Sequence, residues 1–556
     1  MAFGALADRI VETDVLVVGG GIAGCPAAAK AAEHGLKVTL VDKACVERSG
    51  SSGAGIDHYA GAYPRGMTPK EFAEINKTLP PHAYYGMAQF ADPTRLYRLY
   101  ANGMWGVEEL EKLGVTMRWD DGELRPAAFM FGNPFMRVHW TNVKPEMAKG
   151  IRKRGVNVIE NTMLVDLLTR KGAVVGATGV NIRTGQFIVF KAKAVVLATA
   201  ACSRIYHPDQ PDSWKYRFRY HWCPSSVSGD GWAMAYRAGV ELANMEQAGR
   251  GYRSRDDLTI SWGNTGNEGI ESKKLTWDGQ EFVDTPLELL ESQGKAPLYV
   301  GLDTLPDDFQ KRIEVAYVDE RILSFKIAEE RGFNPRSHWY ELIDNRPNQL
   351  HVPPGINADS DFKTNIKGIY AIGDCVSGQH DVANAAVSGF MVGDTVGEYI
   401  KKAADPVPDE AQIEQQKEIA LRPLTVKDGT EPMELESSLR YLCTRYIGVN
   451  KAEGKLREGQ NRLNSLKREF LPKIMASNPH YLMRGLEARN LVDVASVHIQ
   501  ASLERKETWA MHIRLDYPQT INAGKLAYSK LVDGKPVFEI RAVDPLKFPD
   551  NHKEER

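Results

Sequence analysis

The 556-residue sequence predicts an α/β protein: a Rossmann-like dinucleotide-binding domain, interrupted by an insertion and followed by a helical domain. Three observations predict it. A complete strand–glycine turn–helix–strand unit occupies "DVLVVGGGIAGCPAAAKAAEHGLKVTLVDKA" at residues 14–44. A second buried strand ending in glycine and aspartate, "GIYAIGDC", stands far downstream at 368–375. Between 433 and 509, apolar positions recur at three-to-four spacing with charged faces between them.

Within the first unit, the apolar run 15–18 reads as a parallel strand buried on both faces. An alanine-rich helix follows to about His34, and a second strand, Lys37–Val41, ends in Asp42. Residues 156–201 read as four strands, with a tight turn at Arg183-Thr184-Gly185. "SGDGWAMAYRAGVEL" (228–242) starts a helix after glycine and aspartate. The chain then turns irregular and polar to about 345, apart from an expected helix over Gln310–Arg331. After the 368–375 strand, an apolar helix runs from about Ala386 to Lys401, and the two prolines of 401–412 mark a linker. The expected organisation is therefore 1–247 and 346–405 as two parts of the dinucleotide domain, 248–345 as the insertion, and 406–556 as a helical domain and tail.

Seventy basic residues nearly balance seventy-two acidic ones, so no global field favours nucleic acid or an anionic membrane. The aromatic–basic cluster "WKYRFRYHW" (214–222) is a single short patch and reads as a cover or subunit contact. The six cysteines (Cys25, Cys45, Cys202, Cys223, Cys375, Cys443) include no C-x-x-C pair, which predicts neither a metal site nor iron–sulfur ligands in this chain. No run approaches the roughly 18 apolar residues of a membrane span. The first residues lack the basic and apolar regions of a signal peptide, and a reducing, cytoplasmic compartment is expected.

The glycine turn carries the first chemistry. Gly19 permits the tight turn, Gly21 lets backbone approach a pyrophosphate, and Gly24 packs helix against strand. The phosphates then meet the N–H groups of the helix start, and Asp42 is placed for ribose hydroxyls. The later Gly373-Asp374 decides between nicotinamide and flavin. A flavin's ribityl chain runs on past the pyrophosphate to a second anchor, whereas a nicotinamide dehydrogenase has little use for one.

Taken together, "VVGGGIAG", "VTLVDKACVERSGSSGAGI", "VVLATAA", "SGDGWAMAYRAGVELANME", "GIYAIGDCVSG" and "SLERKETWAMHIRLDYPQT" resemble the fumarate reductase/succinate dehydrogenase flavoprotein family over almost the whole chain. The resemblance implies a Rossmann-like FAD-binding domain with an inserted α+β capping domain and a C-terminal helical domain. It places FAD against Gly19, Gly21, Gly24, Asp42, Lys43, Ser49, Gly50, Thr199, Asp230, Gly373, Asp374 and Ser388. Many relatives attach the flavin to a histidine where this chain has Gly50, so non-covalent FAD is expected. Ala200 and Ala201 stand where glycines are usual, and His512 and Arg514 would join the helical domain to the flavin domain.

The family's dicarboxylate chemistry uses an arginine in the cap and another in a late Asn-Arg-Leu-Gly segment. Here no arginine occurs between Arg255 and Arg312, Ala385 follows Asn384, and His351 stands one position off the family's histidine before the last Gly-Gly motif. Fumarate or succinate is therefore disfavoured. A closer likeness is to the adenylylsulfate reductase alpha branch, through "VERSG", through Arg253 seven residues after Glu246, and through His380 after the glycine–aspartate motif. By that likeness Arg253 holds an anionic group and His380 exchanges a proton. His58 is a third candidate beside the flavin, where the branch's asparagine is replaced by Ala60. A ferredoxin-like iron–sulfur subunit would exchange the electrons. Two alternatives stay open: a stand-alone dehydrogenase or reductase using a quinone or soluble carrier, and a non-catalytic flavin electron-transfer subunit.

Overall fold

The computed structural model describes residues 6–53, 58–60, 89–129, 133–137, 143–206, 224–248, 273–282 and 353–544, with parts of 290–342. Arg253, His351, the 214–222 cluster and almost all of the expected 310–331 helix lie outside the described residues.

The dinucleotide unit opens with β1 (Arg9–Val18), α1 (Gly24–Glu33) and β2 (Val38–Val41). Val15, Leu16 and Val17 are fully buried, as expected of a parallel strand covered on both faces. Next come β3 (His58–Ala60), α2 (Pro93–Ala101), α3 (Gly103–Lys112), β4 (Arg125–Phe129), β5 (Asn133–Arg137) and α4 (Val143–Lys153). The four expected strands after residue 156 are β6 (Asn157–Ile159), β7 (Thr162–Arg170), β8 (Ala173–Asn181) and β9 (Phe187–Leu197). The Asn181 side chain accepts from the backbone N–H groups of Arg183 and Thr184 and builds the turn read from sequence. A second turn joins β7 to β8, with Lys171 and Gly172 both at positive φ, the geometry that matches strand twist in a two-residue hairpin.

After residue 224 the chain forms α5 (Asp230–Arg237), β10 (Leu242–Ala243), β11 (Lys274–Thr276), β12 (Leu298–Gly301), β13 (Trp339–Leu342), β14 (Gly355–Ile356), β15 (Ile369–Ala371) and α6 (Val382–Ile400). The expected 228–242 helix is corrected at its end: Gly239 turns at φ +81°, and Leu242–Ala243 leaves as a strand. The helix expected from Ala386 begins at Val382, because Asp381 caps it by accepting from the Ala383 N–H. Among the described residues, one seven-stranded sheet has the order β6-β2-β1-β9-β8-β7, with β15 also paired to β9. Strand β15 joins in parallel, Ile369 beside Val195, and delivers the second glycine–aspartate turn to the same sheet edge as the first.

Helices α1 and α6 pack at unusual proximity. Gly389, Gly393 and Gly397 recur every fourth residue and so share one face. A methyl at Gly389 would lie 2.2 Å from the Ala23 carbonyl oxygen, and one at Gly393 would lie 2.4 Å from Lys30 Cβ.

The C-terminal region holds α7 (Glu410–Leu421), α8 (Pro432–Tyr446), β16 (Asn450–Lys451), α9 (Glu453–Ser465), α10 (Pro479–Glu504), β17 (Ile513–Arg514), β18 (Lys525–Val532) and β19 (Lys535–Ala542). In place of the expected tail, β18 and β19 form a hairpin that pairs with β10 in a four-stranded sheet. Its Asp533-Gly534 turn has φ of +50° and +72°, a hairpin signal that was legible in the sequence. The two domains are joined by buried charge. Arg505 meets Glu246 at 2.9 Å with both side chains fully buried, and Lys451 donates to the Glu246 carbonyl. His512 and Arg514 instead bond within the C-terminal region, to Arg505, Ser502 and Asp516. Their expected bridging role falls to Arg505 and Lys451.

A second cluster joins Arg204 to Glu487 at 2.6 Å and to Glu436 through Nε at 3.0 Å, with Arg484 beside both carboxylates. Burial raises the Glu487 pKa, but Lys43 and Arg204 outweigh it and hold the carboxyl at about 2. Because the folded value lies below the ordinary 4.5, its stabilisation is complete above about pH 4.5 and is lost as pH falls through about 2. In urea denaturation at stepped pH, wild-type stability should fall across that window, and the fall should flatten in Glu487→Gln.

Candidate functional site

Gly19 takes φ +99°, and its N–H donates to the Val41 carbonyl at 2.8 Å. A methyl there would sit 2.5 Å from the Ala198 carbonyl oxygen at the end of β9. At Gly24 a methyl would meet the Gly19 carbonyl oxygen at 1.8 Å, so helix, turn and two strands close on one point. Gly21 differs: nothing lies within 4 Å of its added methyl, which leaves the turn open on that side. Facing it is Gly50, at φ +74°, whose added methyl would be 3.8 Å from Gly21 Cα. Two backbone turns thus border an open face at a helix start, an arrangement that fits a dinucleotide pyrophosphate.

Asp42 braces both turns. Its Oδ2 accepts from Gly20 N–H at 2.7 Å and from Ser49 Oγ at 2.8 Å, and its Oδ1 accepts from Ala44 N–H at 2.7 Å. On the protein side, two residues that sequence reasoning missed meet the same turn: Lys144, 1% exposed, and Cys25 both donate to the Gly20 carbonyl. A lysine early in an amphipathic helix gives no sequence signal, since most such lysines are solvated.

Thr199 follows β9 and contacts Cys375 Sγ at 3.4 Å, and a methyl on Gly231 would lie 2.0 Å from Thr199 Oγ1. Burial pushes the Cys375 thiol up to about 11, so it stays protonated and packs as a small apolar group. The α5 start therefore lies against the β9 end, and Asp230 at its first position pairs with Lys43 at 2.8 Å. The Lys43 ammonium also donates to the Ser226 carbonyl, Ser228 Oγ and Glu487 Oε1.

Gly373, at φ +63°, comes against Ala23 beside α1, with 2.9 Å from its added methyl to Ala23 Cβ. Its N–H donates to Ser388 Oγ at 3.1 Å. Ser388 is fully buried in the second turn of α6 rather than at a helix start, and also accepts from Gln379 Nε2. The turn between is held from outside. Arg95, 2% exposed, donates to the Ser377 and Ala358 carbonyls, and Asn244 donates to Ser377 Oγ at 2.7 Å. His380 emerges from this braced turn with Nδ1 3.7 Å from Asp374 Oδ2, while Asn384 donates to its carbonyl at 2.8 Å.

The fold thus brings Gly19, Gly21, Gly24, Asp42, Ser49, Gly50, Thr199, Gly373, Asp374, Ser388 and His380 to adjoining strand and helix ends, with Lys43 and Asp230 next to Thr199. Among the other expected residues, His58 lies on β3, where its backbone pairs with Arg137. The adjacent Tyr59 is buried and donates to the Gly103 carbonyl.

Ala200, where glycine is usual, takes φ +59°, a left-handed conformation costing about 1–2 kcal/mol for a residue with Cβ. Ala200→Gly is expected to stabilise the protein by about 1 kcal/mol, read as a higher urea midpoint at unchanged slope.

Known proteins resemble this chain along most of its length. The family described as FAD binding domain matches residues 14–389, and that described as fumarate reductase flavoprotein C-term matches 436–553. One subunit of the fumarate reductase (CoM/CoB) from Methanothermobacter marburgensis is 24% identical, over 92% of this chain and 96% of that protein. L-aspartate oxidase of Streptomyces coelicolor is 24% identical over 91% and 89%. The adenylylsulfate reductase structure from Archaeoglobus fulgidus superposes with a TM-score of 0.81, at 23% identity and 97% coverage of each chain.

Proposed function

Because the chain belongs to the FAD-binding fumarate reductase/succinate dehydrogenase flavoprotein family and is an FAD-dependent oxidoreductase, we propose that it is the flavoprotein component of an enzyme acting on a small anionic substrate, with electrons exchanged through a ferredoxin-like iron–sulfur partner. The observation that carries the reading is His380, beside Asp374 at the end of the braced Gly373–Gly378 turn. Support for an anion comes from the relatives' names, since fumarate, L-aspartate and adenylylsulfate all carry negative charge at neutral pH.

FAD, when bound, supplies the two-electron chemistry. The chain's residues would hold and orient it. Gly21 and Gly50 border the pyrophosphate, Asp42 meets ribose hydroxyls, Gly373 and Asp374 anchor the flavin end, and the buried Ser388, expected from the sequence to touch FAD, instead holds the Gly373 turn from behind. Binding is non-covalent in this reading, as Gly50 offers no side chain for attachment. His380, with Nδ1 3.7 Å from Asp374 Oδ2, holds or releases a proton at the substrate. Arg253 would supply a fixed cation to the substrate's anionic group, and His58 would lie near the same face. The adenylylsulfate reductase alpha branch is the reading's reference within the family. No helix among the described residues is long and apolar enough to cross a membrane, and the cytoplasm is the proposed location.

His380→Ala and Arg253→Met should retain the flavin spectrum while turnover falls about 100-fold or more. The screen is anaerobic flavin reduction with small anions, adenylyl sulfate and dicarboxylates included. Unchanged electron transfer in both variants would sink the catalytic reading in favour of a flavin carrier. Purification without a small iron–sulfur protein, and with direct turnover on a quinone, would replace the partner by a stand-alone enzyme.

A further inference from the structure

We propose that Glu487 and Asn490, on α10 of the C-terminal helical domain, are positioning residues for FAD: they form a latch through which the docked domain holds the Lys43–Asp230 pair at the cofactor site. The inference rests on FAD as cofactor and on the placement of Lys43 and Asp230 beside it. It does not depend on the substrate or on the iron–sulfur partner.

Lys43 and Asp230 come from separate pieces of the dinucleotide domain, one after β2 and the other at the first position of α5. Neither loop sets their geometry alone. Lys43 Nζ reaches four acceptors, with Asp230 Oδ2 at 2.8 Å and Glu487 Oε1 at 2.6 Å the two charged ones. An ammonium has three hydrogens, so this one is fully committed to protein. The other Asp230 oxygen accepts from Ser228 Oγ at 3.1 Å and from Asn490 Nδ2 at 2.9 Å. Three residues apart on α10, Glu487 and Asn490 share one face and grip both members of the pair. Glu487 is 1% exposed and Asn490 2%, so neither bond competes with bulk water.

The charges interlock as one cluster. Lys43, Arg204, Arg484 and Arg440 face Asp230, Glu436 and Glu487. Removing Glu487 leaves Lys43, Arg204 and Arg484 each without one buried partner, and the surplus charge is relieved by moving the Lys43 loop. Glu436 offers an internal comparison. It is buried in the same cluster, yet its ion pairs are with Arg204, Arg484 and Arg440, and it bonds neither Lys43 nor Asp230. By linkage, a latch also makes FAD favour the docked domain as much as docking favours FAD.

The test is FAD affinity of the apoprotein, by flavin fluorescence quenching, with urea stability of each apoprotein measured separately. Glu487→Gln and Asn490→Ala should each raise the dissociation constant, about tenfold for Glu487→Gln. Glu436→Gln should lower stability with less than about a twofold change in that constant. If Glu487→Gln folds poorly, Asn490→Ala carries the same comparison. Equal shifts in Glu436→Gln and Glu487→Gln would overturn the latch and leave a purely structural cluster. Tighter FAD binding in Glu487→Gln would also overturn it, by showing that the carboxylate acts only by repelling the phosphates. An unchanged constant in Asp230→Asn would remove Asp230 from the cofactor site and overturn the latch with it.

Discussion

The close approach of the turn after β1 to the end of β9 is the constraint on which the rest of the site depends. With Gly19 against Ala198 and Gly24 against Gly19, no side chain larger than hydrogen fits at either position. That contact brings α1 down onto the strand ends and leaves Gly21 with an open side. It also sets the height at which α6 must cross, so that Gly389 lies on Ala23 and Gly373 beside it. The two glycine–aspartate elements are thus joined by packing between backbones, where there is little room for adjustment.

Polar side chains then stiffen what the backbone contacts define. Asp42 is bonded to both glycine-rich turns, Lys144 and Cys25 pull on the Gly20 carbonyl, and Arg95 with Asn244 holds the loop before His380. Each is buried with partners, as a site that must hold a cofactor in one pose requires. The helical domain contributes to the same end through charge. Its ion pairs with Glu246 and Arg204 sit in the protein interior, where one partner without the other is costly.

The family assignment and the chain's own chemistry meet at His380. The FAD assignment follows from the FAD-binding family match over residues 14–389. What separates such proteins is the residue set facing the substrate. In this chain Ala385 follows Asn384, and His380, to which the proposed function assigns the substrate side, has Nδ1 3.7 Å from Asp374 Oδ2.

By itself, the sequence determined the dinucleotide unit, the strands of 156–201, the strand that ends in Gly373-Asp374 and the helical C-terminal region. Each rests on a local period or on glycine at a turn, and local rules are readable without a fold. The starts and ends of helices were less legible, because Asp381 and Gly239 act through single-residue conformations. The Asp533-Gly534 hairpin signal was present, but a hairpin's place in a sheet with β10 depends on strands nearly three hundred residues apart. Only the tertiary structure decided that Lys144 lies under the glycine turn and that α10 grips Lys43 and Asp230. Those contacts join residues from different elements, and a charge on a helix looks the same in sequence whether it meets water or a buried partner.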